Sequence, residues 1–332
     1  MKKALTIMSL LLLASGVFAG GQNEGAAAQN QGPWAWITEE SDDALLPGVN
    51  PLLVRGDVIT AGSSTVYPLA EAMAERFKNE GYPGTITIDS IGSGGGFERF
   101  TVAGETDVSN ASRPIKASEI EAARQIGREP IEIRVGTDAL AVTVSKDNTF
   151  IKEATMEELA QIFTADNWSD VNPDWPNQPI QRFIPGTDSG TFDYFVEEVF
   201  DEDAEPILAA ANTQFSEDDN ILVQGIEGSP YAIGFFGYAY YAENADKLNV
   251  LKVDGVEANA ANVDNNSYPL ARPLFLYTDA TIMKNKPQVA AYINFFLTYV
   301  NEEITRVGYF PANPAALEGA KQAWLDAVEG AY

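Results

Sequence analysis

Three short turns carry residue types that could grip an anion: Gly62-Ser63-Ser64-Thr65, Gly92-Ser93-Gly94-Gly95 and Asp188-Ser189-Gly190-Thr191. Each sets small hydroxyls and glycine at the mouth of a helical pattern. A helix N-terminus has unsatisfied N–H groups and a partial positive charge, so it attracts anions. Glycine lets the backbone approach a ligand, and hydroxyls add donors without charge. One such turn alone is presumed to be a cap; three, each with glycine, point to a shared ligand. Ala111-Ser112-Arg113-Pro114 adds a cation whose planar fork suits an oxyanion. The alternative for Arg113 is a surface salt bridge in an acidic protein. Arg113 is expected to be the principal cationic contact. Asp188 is the first candidate to accept a proton from the ligand, with Asp107 the second. Asp188 has two alternative roles, a helix cap or a partner for Arg113.

The elements that must position these turns alternate between strand and helix. "DVITAG" runs into the first turn, and Val66, Leu69, Ala70, Met73, Ala74 and Phe77 then mark one helical face. "GTITIDSIG" alternates with period two and runs into the second turn, followed by Phe97 and Phe100. "IQRFIP" precedes the third, and Phe192, Phe195, Val196, Val199 and Phe200 follow at helical spacing. Ser118 with Glu121, and Thr155 with Glu158, read as capping boxes. "IEIRVGTDALAVTV" reads as a long strand interrupted near Gly136 and Thr137, and "YPLARPLFLY" as a return strand. This order predicts an α/β fold of mixed sheets flanked by helices. The two crossings suit a hinge. Lobe I is expected to be discontinuous, residues 51–135 with 268–332, and lobe II to span 136–267.

Met1-Lys2-Lys3, the apolar run from Ala4 to Ser15 and Val17-Phe18-Ala19 read as a secretory signal peptide over residues 1–19. No cysteine follows the cut to carry a lipid, so a soluble periplasmic protein is expected. Residues 20–50 are assigned as a flexible leader, on the strength of "GGQNEGAAAQNQG", which lacks bulky apolar groups. Trp34 and Trp36 have no role in that assignment.

The chain has no cysteine and no histidine. It therefore lacks disulfides, the commonest general base and the commonest metal ligand. The formal charge is −27, and −29 once Lys2 and Lys3 leave with the signal. Nucleic acid is not a partner that such a charge would hold. An enzyme with Ser189 as nucleophile would need an activating base, and the chain shows neither Gly-x-Ser-x-Gly nor Ser-x-x-Lys. "DEDAE" and "SEDDN" lack calcium-loop spacing, and "GSGGGF" is not a dinucleotide fingerprint. The expectation is a binding protein without catalytic residues, metal or cofactor. A site for another oxyanion such as sulfate, or less plausibly a phosphate-ester hydrolase, are the competing readings.

"GSSTVYPLAEAMAERF", "SIGSGGGFERF", "GETDVSNASRPIK", "PGTDSGTFDYF" and "IGFFGYAYY" occur in this order. Together they resemble the extracytoplasmic phosphate-binding proteins of ABC transporters, the PstS-like family. The likeness covers the chain past about Gly56. It implies two α/β lobes of the type II periplasmic-binding-protein architecture, joined by hinge strands and holding dehydrated inorganic phosphate in the cleft. It also implies membrane permease components as partners; a monomer is expected. The family's binding positions fall on Ser64, Thr65, Ser93, Ser189, Gly190 and Thr191, to which the residue chemistry adds Ser63, Ser112, Arg113 and Asp188. Many family members have an aspartate where this chain has Arg113, and an arginine where it has Pro185. The resemblance thus implies that the cation has been relocated.

Overall fold

In the structure, a computed structural model, residues 32–187 and 189–331 are described. The signal peptide, the leader up to residue 31 and Asp188 lie outside them. Among the described residues, ten strands form one mixed sheet. In chain order they are β1 (Val58–Gly62), β2 (Ile86–Ser90), β3 (Val108–Ala111), β4 (Ile131–Ser145), β5 (Gln181–Pro185), β6 (Thr213–Ser216), β7 (Ala232–Gly237), β8 (Leu248–Val250), β9 (Ala271–Thr278) and β10 (Phe310–Pro311). Their order is β2-β1-β3-β9-β4-β7-β5-β6, with β8 and β10 added on β4. β1 is parallel to both β2 and β3, and β5 is parallel to both β7 and β6. Parallel neighbours end at the same edge, which places the turns after β1, β2 and β3 side by side.

The fold is α/β and two-lobed, with two main hydrophobic cores. The first gathers residues from Trp36 to Val135 and from Leu274 to Val328. All six apolar positions expected on the first helix, from Val66 to Phe77, are buried. They belong to α1 (Tyr67–Asn79) and its entrance, which pack with the two C-terminal helices, Pro287–Glu303 and Pro314–Val328. The second core gathers Ala139 to Leu270. Its centre stacks Phe195 on Phe235 at 3.8 Å between ring centroids. Strands β4 and β9 run from one core to the other.

The expected interruption at Gly136 is absent. β4 is continuous over 15 residues, and the irregularity is a bulge: Gly136 pairs with Leu274 and Arg134 with Phe275, leaving Val135 as the extra residue. A bulge bends a strand without ending its ladder. Gly136 is required by space, because a Cβ there would run into the Ile304 side chain and the Phe310 carbonyl.

Two further expectations need correction. Residues 33–50 are not a flexible leader. Ile37–Thr38 pairs with Gly48–Val49, Trp36 is 1% exposed, and the Asn294 side chain donates to the Pro47 carbonyl at 3.0 Å. Tyr299 Oη donates to Asp42 at 2.6 Å, and Lys321 pairs with Asp43. Burial works to raise the Asp43 carboxyl, but the Lys321 ammonium and the N–H groups of Leu45 and Leu46 hold it below its ordinary value. Two tryptophans and Leu46 bring enough apolar surface to dock this strap. The second correction is the box at Ser118 and Glu121. The helix begins at Ala117 (α3, Ala117–Gln125), and Glu119 accepts from the Lys116 N–H at 2.7 Å. Glu119 also takes Arg113, and this double use sets the helix start. The box at Thr155 and Glu158 forms, at 3.0 and 2.8 Å.

Candidate functional site

The hydroxyls at the ends of β1, β2 and β3 meet. Ser63 Oγ accepts from the Val66 N–H at 3.3 Å, and the Ser63 carbonyl accepts from the Tyr67 N–H. Ser63 is thus the effective cap of α1. It donates its own proton to Ser112 Oγ at 3.0 Å. Ser112 Oγ also accepts from Arg272 at 3.3 Å. With both lone pairs taken, the Ser112 proton goes to Ser93 Oγ, 3.2 Å away. Ser93, at the start of α2 (Gly92–Glu98), also accepts from the Ser112 N–H at 3.1 Å. Its acceptor capacity is full, so its own O–H is directed outward as a donor. Ser63, Ser64, Thr65, Ser93, Ser112 and Arg113 line one cleft of about 480 Å³, together with Arg272.

Arg272 is the most buried cation of this cleft, at 6% exposed. It sits on β9 opposite Asp138 of β4. Its Nε lies 3.5 Å from Asp138 Oδ2, an ion pair longer than a hydrogen bond. Nη1 donates to Ser112 and, at 3.2 Å, to Glu197 Oε2. Nη2 donates to Thr65 Oγ1 and to the Gly190 carbonyl at 3.4 Å. The guanidinium carbon lies 3.4 Å from the centroid of the Tyr194 ring, a cation–π contact. Burial pushes the Asp138 carboxyl up, and the Arg272 charge opposes that. Arg272 was not among the expected site residues; its signal in the sequence is an arginine inside the apolar strand "YPLARPLFLY".

The third turn opens α4 (Gly190–Phe200), and Ser189 caps it by accepting from the Thr191 N–H at 3.2 Å. Gly190 packs against the α1 entrance, where a Cβ would stand 3.1 Å from the Ser64 carbonyl oxygen. Ser64 Oγ donates to Asp193 of the same helix at 3.2 Å. Ser189, Gly190 and Thr191 do not line the first cleft directly. They line an adjoining one of about 470 Å³ that shares Ser64 and is walled by Tyr67, Tyr240 and Tyr309.

Asp219 borders this second cleft. Burial, then the Asp218 and Glu217 carboxylates, push it up to about 6. A raised carboxyl costs stability where it is ionised; the cost is complete above the folded value and disappears below the ordinary 3.8. Asp219→Asn is therefore expected to raise the melting temperature by roughly 2–4 °C at about pH 7 and to leave it unchanged at about pH 3.5. Thermal unfolding at the two pH values checks this; an equal gain at both would refute the electrostatic origin.

Arg113 is placed in the first cleft, but its fork is spent on Glu119, at 2.7 and 2.9 Å. Its guanidinium carbon lies 4.9 Å from the Phe97 ring centroid. Asp107 is not at the site. It is 3% exposed, paired with Lys286 at 2.6 Å, and accepts from the Ile59 N–H at 3.0 Å. Its place at the start of β3 gives it a structural job. The carboxylates that do line the cleft are Asp193, Glu197 and Glu202, which come from α4 and the residues after it.

A family model described as a PBP superfamily domain matches residues 26–299. Protein SphX of Synechococcus elongatus is 42% identical over 291 residues, 84% of this chain and 84% of that protein. The phosphate-binding protein PstS of Staphylococcus saprophyticus is 36% identical over 283 residues, 83% of this chain and 86% of that one. A crystal structure of a possible phosphate binding protein from Planctomyces limnophilus is similar with a TM-score of 0.77 at 38% identity, over 82% of this chain and 99% of that one. Among the described residues, no helix is long and apolar enough to cross a membrane.

Proposed function

The chain belongs to the PBP superfamily and, within it, to the PstS-like phosphate-binding proteins, and on that premise we propose that it captures inorganic phosphate and delivers it to the membrane permease of an ABC transporter. The observation that carries this reading is the convergence of Thr65, Ser93, Ser112 and Arg272 on one cleft. Neutral hydroxyls and one guanidinium can surround a tetrahedral oxyanion with donors while leaving little net charge to desolvate. The net charge of −27 does not forbid this, because distant carboxylates are screened beyond about 8 Å at physiological ionic strength.

The working unit in this reading is an extracytoplasmic monomer, periplasmic after removal of residues 1–19. It is not an enzyme and does not bind nucleic acid. Residues 51–135 with 268–332 form one lobe and 136–267 the other, and they close over the ligand. Ser64, Thr65 and Ser93 supply donors from the first cleft and Ser189, Gly190 and Thr191 from the adjoining one; Arg272 supplies the guanidinium, and Arg113, closed on Glu119, adds a more distant charge. Ser63 and Ser112 hold the hydroxyl network in register.

Calorimetric titration with phosphate and with sulfate at matched ionic strength tests the ligand. Saturable phosphate binding with weaker sulfate binding is expected; tighter sulfate binding would replace phosphate as the ligand. Small-angle scattering at saturation should show contraction. Release of p-nitrophenol from p-nitrophenyl phosphate would instead reinstate the hydrolase.

A further inference from the structure

We infer that Glu197 is the displaceable counter-ion of the site: its carboxylate competes with the captured anion for Arg272 and speeds the anion's release. The inference rests on the phosphate-binding reading above. It follows from the partners of one guanidinium. Arg272 faces Asp138, Ser112, Thr65, the Gly190 carbonyl and Glu197. Asp138, Ser112 and Thr65 are buried at 1%, 7% and 2% exposure, and Gly190 contributes backbone. These four are fixed by strands, by a cap or by a helix start. The Glu197 side chain is 41% exposed, so it alone can swing into water at small cost.

A ligand oxygen that accepts from Arg272 Nη1 therefore takes the proton that Glu197 accepts at 3.2 Å. Two acceptors cannot share one N–H at full strength. Asp193 repeats the arrangement one turn earlier on α4, accepting from Ser64 Oγ at 3.2 Å. Residues four apart lie on the same face of a helix, so α4 presents two carboxylates to the donors that an anion would use. Charge points the same way. Asp138 already opposes Arg272 from within the fold, and a phosphate beside an ionised Glu197 would set three anionic groups around one guanidinium. Displacing Glu197 removes one of them. On release, Glu197 returns to Nη1, so the guanidinium is not left with a buried, unmatched donor.

Glu197→Gln keeps the shape and removes the charge. It is expected to tighten the phosphate Kd by about three- to tenfold, with most of the change in a slower koff. Calorimetry supplies the Kd, stopped-flow displacement the koff, and a thermal melt confirms folding. Glu197→Ala should tighten binding as well, because the competing negative charge is absent in both, while Gln retains a neutral carbonyl acceptor that Ala lacks. An unchanged or weaker Kd in the two folded variants overturns the inference; a weaker one would make Glu197 a ligand-holding group. Wild type that binds no phosphate would instead remove the phosphate reading itself, so the two failures are separable.

Discussion

Arg272→Ala is expected to weaken phosphate binding by up to about 100-fold. One charge-assisted hydrogen bond to the anion contributes roughly 1.5–3 kcal/mol, a range that reaches the 2.8 kcal/mol or so that two decades require. Arg272 is the most buried cation of the cleft, it is held over Tyr194, and its donors face the hydroxyl network. The same change strips Asp138, 1% exposed, of its counter-ion. Removing one partner of a buried pair costs about 3–5 kcal/mol, and Asp138 would respond by taking up a proton. The double variant Arg272→Ala/Asp138→Asn removes the stranded charge and is the proper test of binding. Arg113→Ala should cost less, about tenfold, because the Arg113 fork is already closed on Glu119. Calorimetry on the folded variants checks the ranking. If the double variant retains the wild-type Kd, Arg272 is not a phosphate ligand.

Trp36→Ala is expected to destabilise the protein by about 3–5 kcal/mol, the usual cost of emptying a large aromatic site. Trp36 is 1% exposed and belongs to the first core. Trp34 packs against it at 5.5 Å between ring centroids. The strap that carries them is pinned at three more points, by Tyr299, Asn294 and Lys321. Chemical denaturation would measure the loss. The phosphate Kd should be unchanged, since the strap lies away from both clefts. A variant as stable as wild type would mean that residues 33–50 behave as a leader after all.

Much of the fold was legible because it depends on local period and turn chemistry. Six apolar positions at helical spacing became the buried face of α1, and Thr155 with Glu158 became a capping box. The strap is not legible, for a local reason too: its composition blends into the polar tract before it, and only docking on the C-terminal helices gives its tryptophans somewhere to go. Ser118 has the spacing of a cap but does not act as one, because Glu119 is claimed at once by the Lys116 N–H and by Arg113. That is a competition between partners, which spacing does not rank.

The donors can be read from local residue order alone. Glycine, serine and threonine after successive strands mark helix starts that can receive an anion, and the absence of histidine and cysteine removes most other chemistry. Which charges face those donors depends on the packing of segments far apart in the chain. Arg113 and Arg272 are equivalent as letters. Arg113 follows a strand into a loop where Glu119 is three residues into the next helix, so its partner is local. Arg272 lies far along the chain from Ser112, Thr65 and Glu197, and reaches them because β9 runs antiparallel between β3 and β4. Ion pairing depends on distance in space and on the water excluded around it. Neither is a property of neighbouring residues, so the choice of cation belonged to the fold.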